Sequence, residues 1–132
     1  MSWLIVSELA VLEACVQIHG RRMAGFLTKA AAMRLEAQVG STLSMAPFET
    51  LPFASAALAI AMGQVRAGKR GQHCRTLDRL HLALMDVEQL RRLFTNDDKQ
   101  AAAARHRGFE VLTLSAEQRP ERTARAEKRS RR

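Results

Sequence analysis

The strongest constraint on the fold of this chain is the alternation of short apolar runs with helical periodicity. Residues 3–6 (Trp3-Leu4-Ile5-Val6), a stretch within 45–50, residues 90–95 and residues 109–114 each read as strands. They are short, rich in strand formers, and bounded by turn or cap residues. Between them the period changes. Ser7 is placed to cap a helix whose Leu9, Leu12 and Val16 form one apolar stripe and whose Val11, Cys15 and Ile18 form a second. That pattern predicts a helix buried on more than one side and stopped by Gly20. Thr28 caps a second helix through Gln38, ended by Gly40. A third covers 53–67, followed by a basic loop over 67–72. Thr76 caps a fourth helix to Val87, and Asn96-Asp97-Asp98 turns the chain into an alanine-rich helix over 99–107, closed by Gly108. Strands alternating with helices predict an α/β fold with parallel pairing and right-handed crossovers. An all-α nucleic-acid-binding domain would need the runs at 90–95 and 109–114 to be helical, which their shortness and the glycine boundary oppose.

Composition narrows the functional classes. With 132 residues, 47% of them apolar, the chain can bury a core and is not of the wholly disordered class. Its longest apolar stretch, 54–62, is interrupted by Ser55 and falls far short of the ~20 residues of a membrane-spanning helix. The first six residues carry no Lys or Arg, unlike a secretion signal, so no membrane partner and a cytoplasmic location are expected. The formal charge of +8 is unevenly placed. Seven basic and two acidic residues fall within 119–132, which predicts a basic, disordered tail beyond a mildly basic body over 1–118. The two cysteines, Cys15 and Cys74, lack Cys-x-x-Cys spacing and read as structural thiols.

Three acids stand out against this background. Glu13 lies about 40° from Leu9 around the first helix, at the border of its apolar stripe. A carboxylate there needs a cation, a metal or a donor, and Arg21 or Arg79 is a simple partner. On the fourth helix, Asp78 falls inside an arc of about 200° that also holds Leu77, Leu80, His81, Leu82, Leu84 and Met85. An acid in such an arc calls for a functional or pairing reason. His81, one turn away, reads as a histidine bonded to it. Asp97 follows a strand and opens a helix, which puts it at the carboxyl edge of a parallel sheet, where open α/β folds bind ligands; simple helix capping also accounts for it. Three acids converging there suit Mg2+ or Mn2+, and such a site in a basic protein fits phosphodiester hydrolysis. Arg21, Arg22, Lys69, Arg70 and Arg75 are available to hold phosphates.

The segments Thr76-Leu77-Asp78-Arg79-Leu80-His81-Leu82-Ala83, Leu93-Phe94-Thr95-Asn96-Asp97 and Gly108-Phe109-Glu110-Val111-Leu112 together resemble the C-terminal half of PIN-domain ribonucleases, which include the VapC-type toxins of toxin–antitoxin pairs. Upstream, Ser7-Glu8-Leu9-Ala10-Val11-Leu12-Glu13 looks like that family's Ser-x-Leu-Thr-x-x-Glu motif with Ala10 in place of Thr, and Phe48-Glu49-Thr50-Leu51-Pro52 looks like its short middle strand. The resemblance implies a three-layer fold with a central parallel sheet and helices on both faces. It implies an endoribonuclease in which Glu13, Asp78 and Asp97 hold Mg2+ or Mn2+ and Thr95 is an accessory hydroxyl. RNA is the implied substrate, with a protein antitoxin and a second copy of the chain as implied partners. The family's opening Asp-bearing strand, which lies in the middle of its sheet, has no counterpart here, and Glu8 faces about 140° away from Glu13 and is a poor substitute. Either that strand lies upstream of Met1, or the chain is a truncated remnant that binds RNA or antitoxin without cleaving.

Overall fold

A computed structural model describes residues 2–114. The predicted basic tail over 119–132 lies outside the described residues. The described chain is α/β and mostly helical, with β1 (Leu4–Ser7), α1 (Glu8–Met23), α2 (Lys29–Leu43), β2 (Phe48–Leu51), α3 (Ala56–Ala67), α4 (Thr76–Val87), β3 (Arg92–Phe94), α5 (Asp98–His106) and β4 (Glu110–Leu112) in order. The runs at 90–95 and 109–114 therefore contribute strands, against the all-α alternative.

Pairing is parallel throughout the described strands, in two separate two-stranded sheets instead of one central sheet. β1 runs beside β2 with Leu4 opposite Phe48 and Ser7 opposite Leu51, and the α1–α2 hairpin forms the crossover. β3 runs beside β4 with Arg92 opposite Glu110 and Phe94 opposite Leu112, and α5 crosses over.

Several helix ends differ from the sequence reading, and backbone conformation explains them. Gly20 and Gly40 are passed through because neither takes the left-handed conformation that ends a helix. The stop for α1 is Gly25, at φ +84°, where the Phe26 and Gly25 amides donate back to the Arg21 and Arg22 carbonyls. Gly108, at φ +83°, does the same for α5, as expected, and the following Phe109 packs on Ala104 in the core. Thr76 is the first residue of α4 and not its cap; Arg75 holds the cap position without a side-chain bond. Ser7, Thr28 and Asp97 cap α1, α2 and α5 through their side chains, each accepting from a first-turn amide.

The core has two parts that meet at α4. One face of α4 packs Leu82 and Met85 with Cys74, Ala103, Ala104 and Phe109; the other packs Ala83 and Leu84 against Ala57 and Ala61 of α3. The expectation of a first helix buried on more than one side fails: α1 has no fully buried residue, and Leu12 and Val16 are 53% and 59% exposed. α1 packs chiefly on α2 and the short β1, which leave its second stripe of Val11, Cys15 and Ile18 half-buried and the Leu12 and Val16 part of its first stripe uncovered among the described residues.

Candidate functional site

The first turn of α4 and the β3–α5 junction meet at one guanidinium. Asp78 lies in the first turn of α4, where unbonded backbone amides and the helix dipole favour a carboxylate, and it is buried. Asp97 leaves the carboxyl end of β3 and caps α5, its Oδ1 accepting from the Gln100 amide at 2.8 Å. Arg75 spans the two acids, with Nε 3.4 Å from Asp78 Oδ2 and an Nη 3.6 Å from Asp97 Oδ2. Its side chain is 80% exposed, so these are long, loosely held pairs that contribute little stability.

Two buried polar groups fix the junction behind the acids. Thr95 Oγ1 accepts from the Asp97 amide at 3.1 Å and donates to Gln100 Oε1 at 2.7 Å. Gln100 Nε2 reaches the Asp78 carbonyl at 3.4 Å, which ties α5 to α4. Cys74 sits just ahead of this arrangement. Burial raises its thiol pKa; Arg79 pulls it down, while Asp78 and Asp97 push it up.

Glu13 is held elsewhere. His81 Nε2 hydrogen-bonds Glu13 Oε1, and His81 Nδ1 lies 3.2 Å from Ser7 Oγ. Since a carboxylate only accepts, this arrangement fits a proton on Nε2, with the Ser7 hydroxyl donating to Nδ1 while accepting from the Ala10 amide. The partner of His81 is thus Glu13 and not Asp78, and the partner of Glu13 is His81 and not Arg21 or Arg79. This relay fastens the start of α1 to α4. Glu8, at the head of α1, accepts from the Phe53 amide at 2.9 Å.

Of the four residues singled out from sequence, Asp78, Asp97 and Thr95 are therefore brought together, and Glu13 is attached to the same helix one turn further on. Glu13, Asp78 and Asp97 do not bring three ligand atoms within 4.8 Å of one another. Among the described residues, the group that does is Cys15, His19 and Glu36, on α1 and α2. The sequence reading passed over this group, although Cys15 and His19 stand at the i, i+4 spacing that puts two side chains on one helix face. It also missed the relay that runs outward from the buried Arg79, which donates to Gln64; Gln64 donates to Asp86 at 2.7 Å, and the exposed Arg107 donates to the same Asp86 oxygen at 2.7 Å.

Beside Arg75, a cleft of about 970 Å³ opens between α3 and α4, lined by Leu58, Met62 and Val65 on one side and by Lys69, His73, Arg75 and Arg79 on the other. No helix among the described residues is long and apolar enough to cross a membrane. No protein-family model, curated protein or solved structure matches this chain.

Proposed function

We propose that the chain is a PIN-like endoribonuclease, most simply the toxin of a toxin–antitoxin pair, in which Asp78 and Asp97 hold a divalent cation. The observation that carries this reading is the convergence of those two carboxylates on the Arg75 guanidinium at the carboxyl end of a parallel strand pair. The donor set is all oxygen, which suits Mg2+ or Mn2+ over softer ions. The two acids already share one cation, and that cation is exposed enough to be displaced.

When bound, the ion would lower the pKa of its water and so supply the nucleophile for phosphodiester attack. The chain's own residues have separate tasks. Thr95 and Gln100 hold the Asp97 backbone and the first turn of α4 in fixed relation, so that the two carboxylates keep their spacing. Lys69 and Arg75, on the wall of the adjoining cleft, offer cations to the RNA phosphates. The His81 bond positions Glu13, and the start of α1 with it, against α4. The partners under this reading are a protein antitoxin and a second copy of the chain.

A second reading has its own support: Glu13 is engaged by His81, which leaves two converging acids and favours a binding protein that no longer cleaves. The full chain incubated with single-stranded RNA and Mg2+ or Mn2+ separates the two. Asp97→Asn is the informative variant, because Asn caps a helix as well as Asp does and only the charge is lost. Under the nuclease reading, Asp78→Asn and Asp97→Asn each reduce metal-dependent cleavage by about 10²-fold or more, the scale seen when one electrostatic contributor to a transition state is removed. Cleavage that survives both substitutions would overturn that reading. A wild-type chain that binds RNA or antitoxin without cleaving would establish the second.

A further inference from the structure

We propose that Cys15, His19 and Glu36 form a binding site for a borderline divalent transition metal, of which Zn2+ is the best fit, that clamps α1 to α2. The inference is independent of the function proposed above and uses none of its residues.

The geometry is that of a site needing small adjustments. Cys15 and His19 project from one face of α1 one turn apart, and Glu36 faces them from α2. Cys15 Sγ is 3.7 Å from Glu36 Oε1, and His19 Nε2 is 2.7 Å from Glu36 Oε2. All three ligand atoms lie within 4.8 Å of one another. In a tetrahedral Zn2+ site, with bonds of ~2.0–2.3 Å, neighbouring ligand atoms stand roughly 3.5 Å apart. The cysteine pair already matches that spacing, and the histidine needs to open from a hydrogen bond into a shared ligand position. The donor set of sulfur, nitrogen and oxygen selects Zn2+ and its borderline neighbours over Mg2+ or Ca2+, which prefer oxygen alone. Three protein ligands leave a fourth position for water.

Charge and protons balance. Binding requires the thiolate of Cys15, so the Sγ proton goes to solvent as the Zn–S bond forms. With the Glu36 carboxylate, the site then carries two negative charges against the ion's two positive ones. His19 must offer the Nε2 lone pair, so a neutral ring moves its proton to Nδ1. In the present arrangement Arg22 Nε donates to that Nδ1 at 3.2 Å. Arg22 therefore has to release His19 when metal enters. The Cys15 thiol likewise gives up its contact to Glu36 Oε1, and all three ligands are half-buried or exposed, so an ion can reach them from solvent.

The test is a Co2+ titration of the full, reduced chain, followed by displacement with Zn2+. The expected result is a near-ultraviolet thiolate-to-cobalt band that saturates at one equivalent and is lost when Zn2+ is added. Cys15→Ser should abolish the band, and His19→Ala and Glu36→Gln should each weaken Co2+ binding at least about tenfold, the lower end of what altering a metal ligand's surroundings costs. Cys74→Ser should leave the band unchanged, since Cys74 belongs to the buried cluster around Leu82 and Phe109 and not to the α1–α2 pair. Far-ultraviolet dichroism of each variant confirms that helix content is retained. Three results would overturn the proposal: no band in the wild type, a band that survives Cys15→Ser, or binding indifferent to both His19→Ala and Glu36→Gln. The first is what an interhelical His19–Glu36 ion pair with no metal role predicts.

Discussion

At single residues, the clearest physical signal is the displaced titration of Glu36. The hydrogen bond from His19 holds its carboxyl below the ordinary carboxylate range, with desolvation opposing and the His19 charge and Cys15 thiol assisting. A carboxyl whose folded pKa is depressed contributes stability above its unfolded pKa and loses it as pH falls through the folded value. The α1–α2 hairpin is therefore expected to weaken on acidification through and below the normal Glu range, and Glu36→Gln to remove that part of the pH dependence. Thermal melts of both chains from neutral to acid pH check this: the wild type should melt higher at neutral pH, and the two curves should converge in acid. Parallel curves across the range would show that the His19 bond does not couple to folding. Pairings of this kind were hidden in the sequence for a definite reason. Asp78 and Asp97 betray themselves locally, one by lying in a leucine-lined arc and the other by its place before a helix. Glu13 and His81 are 68 positions apart, and nothing local to either states that they meet.

Elements were legible where local chemistry decides their limits and illegible where backbone conformation does. The caps at Ser7, Thr28 and Asp97, and the stop at Gly108, follow from residue type next to an apolar period. Gly20 and Gly40 misled because a glycine ends a helix only when the chain turns left-handed there, and α1 reaches such a turn five residues later, at Gly25. The end of α4 shows the same requirement met by an unsuited residue. Gln89 takes φ +55° while the Leu90 amide donates to the Met85 carbonyl, so a side chain occupies the position that favours glycine. Left-handed backbone costs a residue with a Cβ roughly 1–2 kcal/mol. Gln89→Gly is expected to stabilise the chain by about 1 kcal/mol, because glycine also loses more conformational freedom on folding and keeps only part of the gain. Chemical denaturation should show a raised midpoint with an unchanged slope; an unaltered or lowered midpoint would mean that Gln89 makes compensating contacts in the folded state. The sheet was partly legible too. Parallel pairing follows from strands alternating with helices, but the order of elements does not encode whether the strands join in one sheet or separate into two pairs, as they do.

For the molecule as a whole, stability is concentrated in the helix that the two halves of the core share. Both clusters draw large side chains from α4, Leu82 and Met85 on one face, where Phe109 joins them, and Leu84 on the other, where its partners are alanines. Leu82 is the one large side chain among the described residues with no exposed surface, so truncating it leaves a void in the cluster it shares with Met85, Ala103, Ala104 and Phe109. Leu82→Ala should cost about 2–5 kcal/mol, the range for a buried leucine whose site cannot collapse. Length points the other way from burial: α1 and α2 are the longest helices, of 16 and 15 residues, yet between them only Ala32 is fully buried. Local opening follows buried contacts and not helix length. Amide exchange without added metal should therefore be slowest in α4 and fast in the α1–α2 hairpin, and Leu82→Ala should speed exchange in α4, α5 and β4 together while α1 and α2 change little. If the hairpin instead proved as protected as α4, its exposed Leu12 and Val16 would have to be covered in solution, and the two-part core centred on α4 would be the wrong account of how this chain is held together.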